Sequence, residues 1–338
     1  MNMRDIAAKA GVSVMTVSRA LRHDPKVSSA VRENIQRLAD ELGYRPNPLV
    51  SALMSQRRTR KPRRQDLKLG FITAFPTRAG WKSYRLYHEF YDGAARSADA
   101  HGYRIEEFWL AEPGMTPARL SQVLMTRNIW GLLLAPLPTP QGRMDLAWEN
   151  FSAVTFGYSL AQPDLHRLSN HQFRSMRLLL SKLRELGYQR PGLALPQSLD
   201  DRVLHQWFGG FVVEQQKFPG HPIPLFLIPD EKWNQSRFSH WLERHRPDIV
   251  IGHQNELLEW LSESGVRVPE DVGFAHLDCP ALTGPLSGIY QNGPEIGVAA
   301  ADTLITMLQR NERSVPALPR TLLIEGRWAQ GTTTRKGS

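Results

Sequence analysis

The chain has 338 residues, of which 41% are hydrophobic and 22% are charged, an ordinary globular composition long enough for two or three domains. No apolar run reaches the roughly 18 residues that a membrane-spanning helix needs, and residues 1–10 lack the apolar run of a secretory signal. The single cysteine, Cys279, excludes a disulfide or a cysteine-based zinc site within one chain. We therefore expect a soluble cytoplasmic protein with no membrane partner.

The charge is distributed unevenly. Residues 1–65 contain 14 Lys and Arg against 5 Asp and Glu, whereas residues 66–338 contain 28 of each kind, so the net charge of +9 lies in the first fifth of the chain. A small basic region beside a neutral body is typical of a protein that binds a polyanion, most often nucleic acid. A solvated charged surface is the alternative.

The basic region begins with a helical pattern. Apolar residues recur at spacings of three and four from Ile6 to Leu21 and predict two short helices, with Gly11 ending the first and Ser13 capping the second. A third helix is predicted from Ser28 or Ser29 to a stop at residue 43. The pattern favours a three-helix unit with a helix-turn-helix at its front.

Residues 47–66 divide into two parts. Asn47 and Pro48 begin a short helical segment that runs to residue 54. Residues 57–64, six of them arginine or lysine among RRTRKPRR, break every periodic pattern and predict a solvated linker. This basic run either adds phosphate contacts or serves only as a soluble tether.

From residue 67 onward, short apolar runs alternate with helical patterns, which predicts parallel α/β structure. Predicted strands cover residues 69–74, 104–108, 131–135, 153–156, 192–195, 223–227, 249–252, 272–276 and 288–290. Predicted helices cover residues 84–101, 117–127, 172–187, 201–217, 235–246, 255–265 and 294–310. The series divides into similar halves near residues 161–163, which predicts two lobes with a ligand cleft at the carboxyl ends of their strands.

Several stretches resemble a known family. They are MRDIAAKAGVSVMTVSRAL at 3–21, LGYRPN at 42–47, RPDIV at 246–250, GVRVPEDV at 265–272 and LIEG at 323–326. In this order they resemble the lactose/galactose repressor family of bacterial transcription regulators, whose body is similar to periplasmic sugar-binding proteins. The resemblance implies an all-α helix-turn-helix head and an α/β two-lobed body.

The family resemblance also implies a division of labour. Residues 1–46 correspond to the DNA-binding domain, 47–66 to a hinge helix and basic linker, 67–330 to the effector-binding and dimerisation domain, and 331–338 to a tail. A homodimer would place two heads on a pseudo-palindromic operator in double-stranded DNA. A small effector, expected to be sugar-like, would control it from the cleft, and the dimer would act as a repressor in the bacterial cytoplasm, on the nucleoid.

The resemblance places the family's main specificity pair at Val14 and Met15, on the first turn of the second helix. Apolar residues there favour thymine methyl contacts, and core packing is the alternative. Arg19 can form a bidentate bond to guanine, whereas Ser13, Thr16 and Ser18 suit phosphate contacts. The residues predicted to contact DNA are Ser13, Val14, Met15, Thr16, Ser18, Arg19, Lys26, Asn47 and Leu53.

Leu53 has a separate predicted role. The family places a leucine here at the end of the hinge helix, where paired leucines of two subunits wedge into the minor groove and kink the DNA. A segment this short is not stably helical alone, so we expect it to fold only on DNA against a partner hinge. Ordinary packing in a helix is the alternative.

The effector site is predicted from positions that match the family's cleft. Asp278 matches an aspartate that accepts hydroxyl bonds from a sugar, although His276 stands where the family usually has glycine. Trp207 stands where an arginine is frequent, with Arg202 as a substitute, and Asn170 replaces a common aspartate. The predicted effector-binding residues are Tyr87, Arg202, Trp207, Trp233, Asn255 and Asp278. For each of them, structural packing is the alternative.

Other classes of function have less support. No phosphate loop, nucleophile elbow or metal-ligand spacing occurs, so we expect no catalytic residue, no metal site and no cofactor. His276 beside Asp278 is the one pair suggestive of catalysis, and it is more readily explained as cleft polarity. A solute-binding protein and a DNA-binding regulator without an effector remain as alternatives.

Overall fold

The computed structural model describes residues 3–21, 27–42, 44, 67–219 and 221–336. The chain forms two units, Met1–Gln65 with Leu308–Glu312, and Asp66–Met307 with Arg313–Ser338. We call residues 3–44 the head and residues 67–336 the body. In the described part of the chain, no helix is long and apolar enough to cross a membrane.

The helices, numbered in chain order, are α1 Met3–Ala10, α2 Val14–Ala20, α3 Ser29–Glu41, α4 Arg85–Ala100, α5 Pro117–Thr126, α6 Gln172–Glu185, α7 Gln197–Asp201, α8 Gln206–Gln215, α9 Gln235–His245, α10 Glu256–Glu263 and α11 Gly293–Arg310. The strands are β1 Leu67–Thr73, β2 Tyr103–Trp109, β3 Gly131–Leu134, β4 Gly142–Arg143, β5 Ser152–Phe156, β6 Leu160–Gln162, β7 His166–Asn170, β8 Pro191–Pro196, β9 Phe226–Ile228, β10 Ile249–Gly252, β11 Gly273–His276, β12 Ser287–Tyr290, β13 Thr321–Ile324 and β14 Arg327–Ala329.

The head is a three-helix unit, as predicted. Gly11 has a φ of 64°, a left-handed conformation that only glycine adopts without strain, and it separates α1 from α2. Ile6, Val17 and Ile35 come from different helices and are fully buried together. The predicted hinge helix at 47–54, the basic run at 57–64 and the stop at residue 43 lie outside the described residues.

The body contains two six-stranded sheets among the described residues. The first has the order β13-β7-β5-β3-β1-β2 and is entirely parallel. The second has the order β14-β12-β11-β10-β8-β9, and its strands are parallel apart from β14, which runs antiparallel to β12. We call these sheets with their helices the first lobe and the second lobe. The predicted fold class is thereby confirmed.

The two lobes are not consecutive halves of the chain, so the predicted division near 161–163 is wrong. The chain leaves the first lobe after β7 and enters the second with α6. It returns with α11, which packs on α4 so closely that a Cβ on Gly297 would meet the carbonyl oxygen of Phe90. Then β13 pairs with β7, and β14 pairs with β12. The sequence reading omitted β7 and β13, because polar or exposed residues interrupt their apolar pattern.

A second difference concerns the helix predicted over 201–217. The structure has two helices there, because Leu204 and His205 adopt left-handed φ angles of 55° and 59°. The buried carboxylate of Asp200 stabilises this turn by accepting hydrogen bonds from the backbone nitrogen of Phe208 at 3.1 Å and from His205 Nδ1, 3.0 Å away.

Residues 331–336, expected as a tail, pack on the second lobe. The carbonyl oxygen of Thr333 accepts a hydrogen bond of 2.7 Å from the backbone nitrogen of Phe274 in β11. The backbone nitrogen of Arg335 donates to the hydroxyl of Tyr188 at 2.9 Å, and Thr334 is buried. The domain boundary predicted at residue 330 therefore cuts through the packing of the second lobe.

Candidate functional site

The first turn of α2 presents apolar side chains to solvent. The exposed fraction of Val14 is 41% and that of Met15 is 58%, whereas Val17 and Ala20 on the same helix are fully buried. The apolar core of the head is thus complete without Val14 and Met15. The alternative that they are core residues of the head does not hold, and their exposure makes them available to a partner.

The polar residues around this turn have different surroundings. Ser13 Oγ accepts a hydrogen bond of 3.1 Å from the backbone nitrogen of Thr16 and lies 2.9 Å from the Thr16 hydroxyl, so it caps α2 as predicted. Ser18 and Arg19 are half-buried, near the end of the helix. The predicted contacts by Lys26, Asn47 and Leu53 lie outside the described residues and stay predictions.

The second candidate site lies between the lobes of the body. Arg85 begins α4 in the first lobe, and Asp278 follows β11 in the second. Arg85 Nη2 lies 2.5 Å from Asp278 Oδ1 and also donates to the Asp278 carbonyl oxygen at 3.2 Å. Arg85 additionally forms an ion pair with Glu89, one turn further along α4. The guanidinium therefore joins carboxylates of both lobes.

A second arginine crosses between the lobes in the opposite direction. Arg202, directly after α7 in the second lobe, donates to the hydroxyl of Tyr87 at 3.2 Å. It also donates to the carbonyl oxygens of Leu137 at 2.8 Å and Pro138 at 2.6 Å, both in the first lobe after β3. The cleft cluster, as we call Arg85, Tyr87, Glu89, Arg202 and Asp278, thus contains three of the predicted effector residues.

The electrostatics agree with this proximity. Burial raises the pKa of the Tyr87 hydroxyl, the positive charge of Arg202 opposes that shift, and the negative charge of Asp278 adds to it. Burial also raises the pKa of Glu89, and Arg85 opposes that shift. The two arginines and two carboxylates balance in charge, so the cluster as a whole is close to neutral.

Two histidines lie beside Asp278. The backbone nitrogen of Asp278 donates to His276 Nδ1 at 3.0 Å, and His253 Nε2 lies 4.0 Å from Asp278 Oδ2. Burial, reinforced by the charge of His253, lowers the pKa of His276 to about 3. His276 is therefore neutral, and its Nε2 is buried without a hydrogen-bond partner among the described residues. It can donate a hydrogen bond to a bound molecule.

Buried amides join the segments that connect the lobes. Asn170 Nδ2 donates to Gln291 Oε1, and Asn170 Oδ1 accepts from Gln172 Nε2 at 2.7 Å. Gln291 Nε2 in turn donates to the carbonyl oxygen of Leu277 at 2.8 Å. Asn170, which stands where the family has a charged residue, therefore bonds the two connecting segments to each other.

The remaining predicted effector residues have other surroundings. Trp207 is buried in the apolar core of the second lobe, and Asn255 is exposed just before α10. Trp233 packs on Phe226 with 5.2 Å between ring centroids, and its Nε1 donates to Glu256 at 2.5 Å. These contacts lie within the second lobe, and an effector role for the three residues stays a prediction.

Sequence reasoning missed Arg85, His253 and Gln291. The spacing of Arg85 and Glu89 at i and i+4 on a predicted helix was one available signal. It indicates only a local pair, because the partner that connects the lobes is 193 residues away. Among the described residues, no group of three His, Cys, Asp or Glu side chains is placed to hold a metal ion.

Comparison with known proteins agrees with this architecture. Residues 2–47 match the lacI family of bacterial regulatory proteins, and residues 180–334 match the periplasmic binding protein-like domain. The HTH-type transcriptional repressor CytR of Escherichia coli (strain K12) is 24% identical over 322 residues, which cover 91% of this chain and 89% of that protein. The ribose operon repressor of the same strain is 24% identical over 339 residues, with 90% and 92% covered.

A solved structure extends the similarity in fold to the whole chain. The Lac repressor dimer bound to operator and the anti-inducer ONPF has a TM-score of 0.57 and 20% sequence identity, with 99% of each chain covered. Head and two-lobed body therefore follow one another in that structure in the same order as in this chain.

Proposed function

The chain belongs to the lacI family of bacterial regulatory proteins, and from this premise we propose that it is a repressor that binds a pseudo-palindromic operator as a dimer. The observation that carries the proposal is the exposed first turn of α2, with Val14 and Met15, on a head that holds the net positive charge of the chain. A basic helix-turn-helix that presents this turn to solvent is suited to the major groove.

The chemistry of α2 suggests how it reads DNA. Val14 and Met15 have no hydrogen-bonding side-chain group for a base edge, so they select by contact with thymine methyl groups and by shape. Arg19 supplies the polar contact, a bidentate bond to guanine. Ser13, Thr16 and Ser18 position the helix on phosphates, which fixes orientation without specifying sequence.

We further propose that the cleft between the lobes binds a small polyhydroxylated effector. Asp278 can accept hydrogen bonds from hydroxyl groups, the neutral His276 can donate one through Nε2, and Tyr87 offers an aromatic ring. The ribose operon repressor and CytR are repressors by name, which supports regulation by binding without a catalytic step. The site of action would then be the bacterial chromosome in the cytoplasm.

Selection of bound duplexes from a random pool by the full-length protein tests the proposal. We expect enrichment of one pseudo-palindromic sequence. Arg19→Ala should then weaken binding to that sequence by about 1–3 kcal/mol, roughly 5- to 150-fold, because a bidentate contact to guanine is lost. Discrimination should relax at the base pair that Arg19 contacts.

Arg127→Ala is the matched control, because Arg127 pairs with Glu106 inside the first lobe and should leave operator affinity unchanged. A pool without any enriched sequence would refute the repressor assignment. A folded protein that binds small solutes and no specific duplex would support the alternative of a solute-binding protein.

A further inference from the structure

The cleft contains reciprocal contacts between the lobes. The first lobe extends Arg85 to Asp278 of the second, and the second lobe extends Arg202 to Tyr87, Leu137 and Pro138 of the first. Polar links therefore cross the cleft in both directions. They are made by side chains and carbonyl groups of the chain itself.

Burial makes these contacts significant. The side chain of Asp278 is 9% exposed and that of Arg85 is 33% exposed. Ion pairs on a protein surface contribute little, but removal of one partner from a mostly buried pair leaves an uncompensated charge and is strongly unfavourable. The hydrogen bonds from Arg202 to two carbonyl oxygens are charge-assisted, which strengthens them relative to neutral hydrogen bonds.

Arg85 also separates two carboxylates that belong to different lobes. Glu89 and Asp278 both contact its guanidinium, and the charge of Asp278 contributes to the raised pKa of Glu89. Without Arg85, two negative charges would face one another across the cleft. The lobes would then repel each other at the point where they are now joined.

We infer that Arg85 acts as an internal ligand of Asp278 and holds the two lobes closed in the absence of an effector. This inference rests on the proposed function, because it takes Asp278 as an effector-binding group. The guanidinium donates to the carboxylate that would otherwise accept hydroxyl groups of a ligand. An effector that binds Asp278 must therefore displace Arg85.

The inference is tested by the distance between the lobes in the full-length protein without added ligand. Glu112→Cys in the first lobe and Glu231→Cys in the second place spin labels at exposed positions, and the native Cys279 is buried. We expect one narrow distance distribution for the otherwise unchanged protein. Arg85→Met should shift it to longer distances and broaden it.

Asp278→Asn provides a second variant with almost no change in volume and should also lengthen the distance, because an amide holds the guanidinium less strongly than a carboxylate. Arg127→Met, which breaks an ion pair inside the first lobe, is the control and should keep the original distribution. If both cleft variants gave the original distribution, the inference would be overturned. If Arg85→Met did not fold, Asp278→Asn would decide.

Operator affinity of the same samples separates the two proposals. Loss of all specific DNA binding by the unchanged protein would refute the proposed function and leave the distance result intact. Normal operator binding together with unchanged distances in both cleft variants would refute the role of Arg85 alone.

Discussion

The first turn of α2 and the cleft cluster differ in how far their chemistry is satisfied within the chain. Val14 and Met15 are exposed and make no part of a core, whereas Arg85, Arg202 and Asp278 are engaged with partners in the opposite lobe. Exposed apolar groups gain free energy when any complementary surface covers them. The cleft gains only if a ligand replaces contacts that already exist, so its binding is a competition.

Charge separates the same two regions. The first 65 residues carry the net charge of +9, and the body is balanced overall, as is the cleft cluster. The head is therefore attracted to a polyanion at a distance, and this attraction weakens with salt. Recognition in the cleft depends on individual hydrogen bonds at short range.

Removal of residues 1–66 should give the largest effect. The fragment that starts at Leu67 is expected to fold, because the body has its own two sheets and cores, and to lose specific DNA binding entirely. Circular dichroism and fluorescence anisotropy on the selected duplex measure both properties. Affinity of the intact protein should fall steeply as salt rises. Specific binding by the fragment would contradict the assignment of DNA recognition to the head.

Leu53→Ala tests the hinge that the family resemblance predicts. A leucine wedge unstacks a base step at a cost of a few kcal/mol, offset by the contacts that bent DNA makes with the heads. The variant should bend operator DNA less and bind it more weakly. Its salt-dependent binding to unrelated DNA should stay unchanged, because that binding depends on phosphates.

Bend angles and competition at fixed salt, measured for Leu53→Ala and for the unchanged protein, make this comparison. Leu42→Ala, which alters a leucine packed against the core of the head, serves as a control for loss of stability without loss of a wedge. Equal bending by Leu53→Ala and the unchanged protein would return Leu53 to ordinary helix packing.

His276→Gln should give a smaller effect, on stability. The pKa of His276 is about 3 in the folded protein against 6.5 ordinarily, so the unfolded chain binds the additional proton between these values. The folded state therefore loses free energy of unfolding as the pH falls from 6.5 towards 3, by about 2 kcal/mol at pH 5. In His276→Gln this loss should disappear, since glutamine does not titrate and can still accept the bond from Asp278.

Urea unfolding at pH 7 and pH 5 measures the difference between the two proteins. His221→Gln, which changes an exposed histidine in the second lobe, should keep the pH dependence of the unchanged protein. If His276→Gln lost as much stability on acidification as the unchanged protein, the burial of a neutral His276 would not be the cause.

Local features could be predicted from the sequence, because they depend on residues within one turn or one strand. The cap of α2 requires only Ser13 and the backbone of Thr16. The strand at Ile249–Gly252 was predicted with its observed bounds, since its apolar run is buried on both faces. The break before α8 was not predicted, because it depends on the buried carboxylate of Asp200 and on left-handed residues that carry side chains.

The site was predictable only in part. Tyr87, Arg202 and Asp278 were found through their positions in family motifs, and the structure brings them into one cluster. Arg85 was missed, because its importance comes from a residue in the other lobe. Trp207 and Trp233 have packing contacts that an aromatic residue type alone does not distinguish from a ligand contact.

The sequence by itself therefore determined the order of the helices and most strands, the basic head and the family to which the chain belongs. Periodicity, capping and charge are local, so they can be read from neighbouring residues. The tertiary structure decided that β13 and α11 return to the first lobe and that residues 331–336 pack on the second. It also decided that Arg85 meets Asp278, because such pairings between distant segments depend on how whole sheets pack and not on any local pattern.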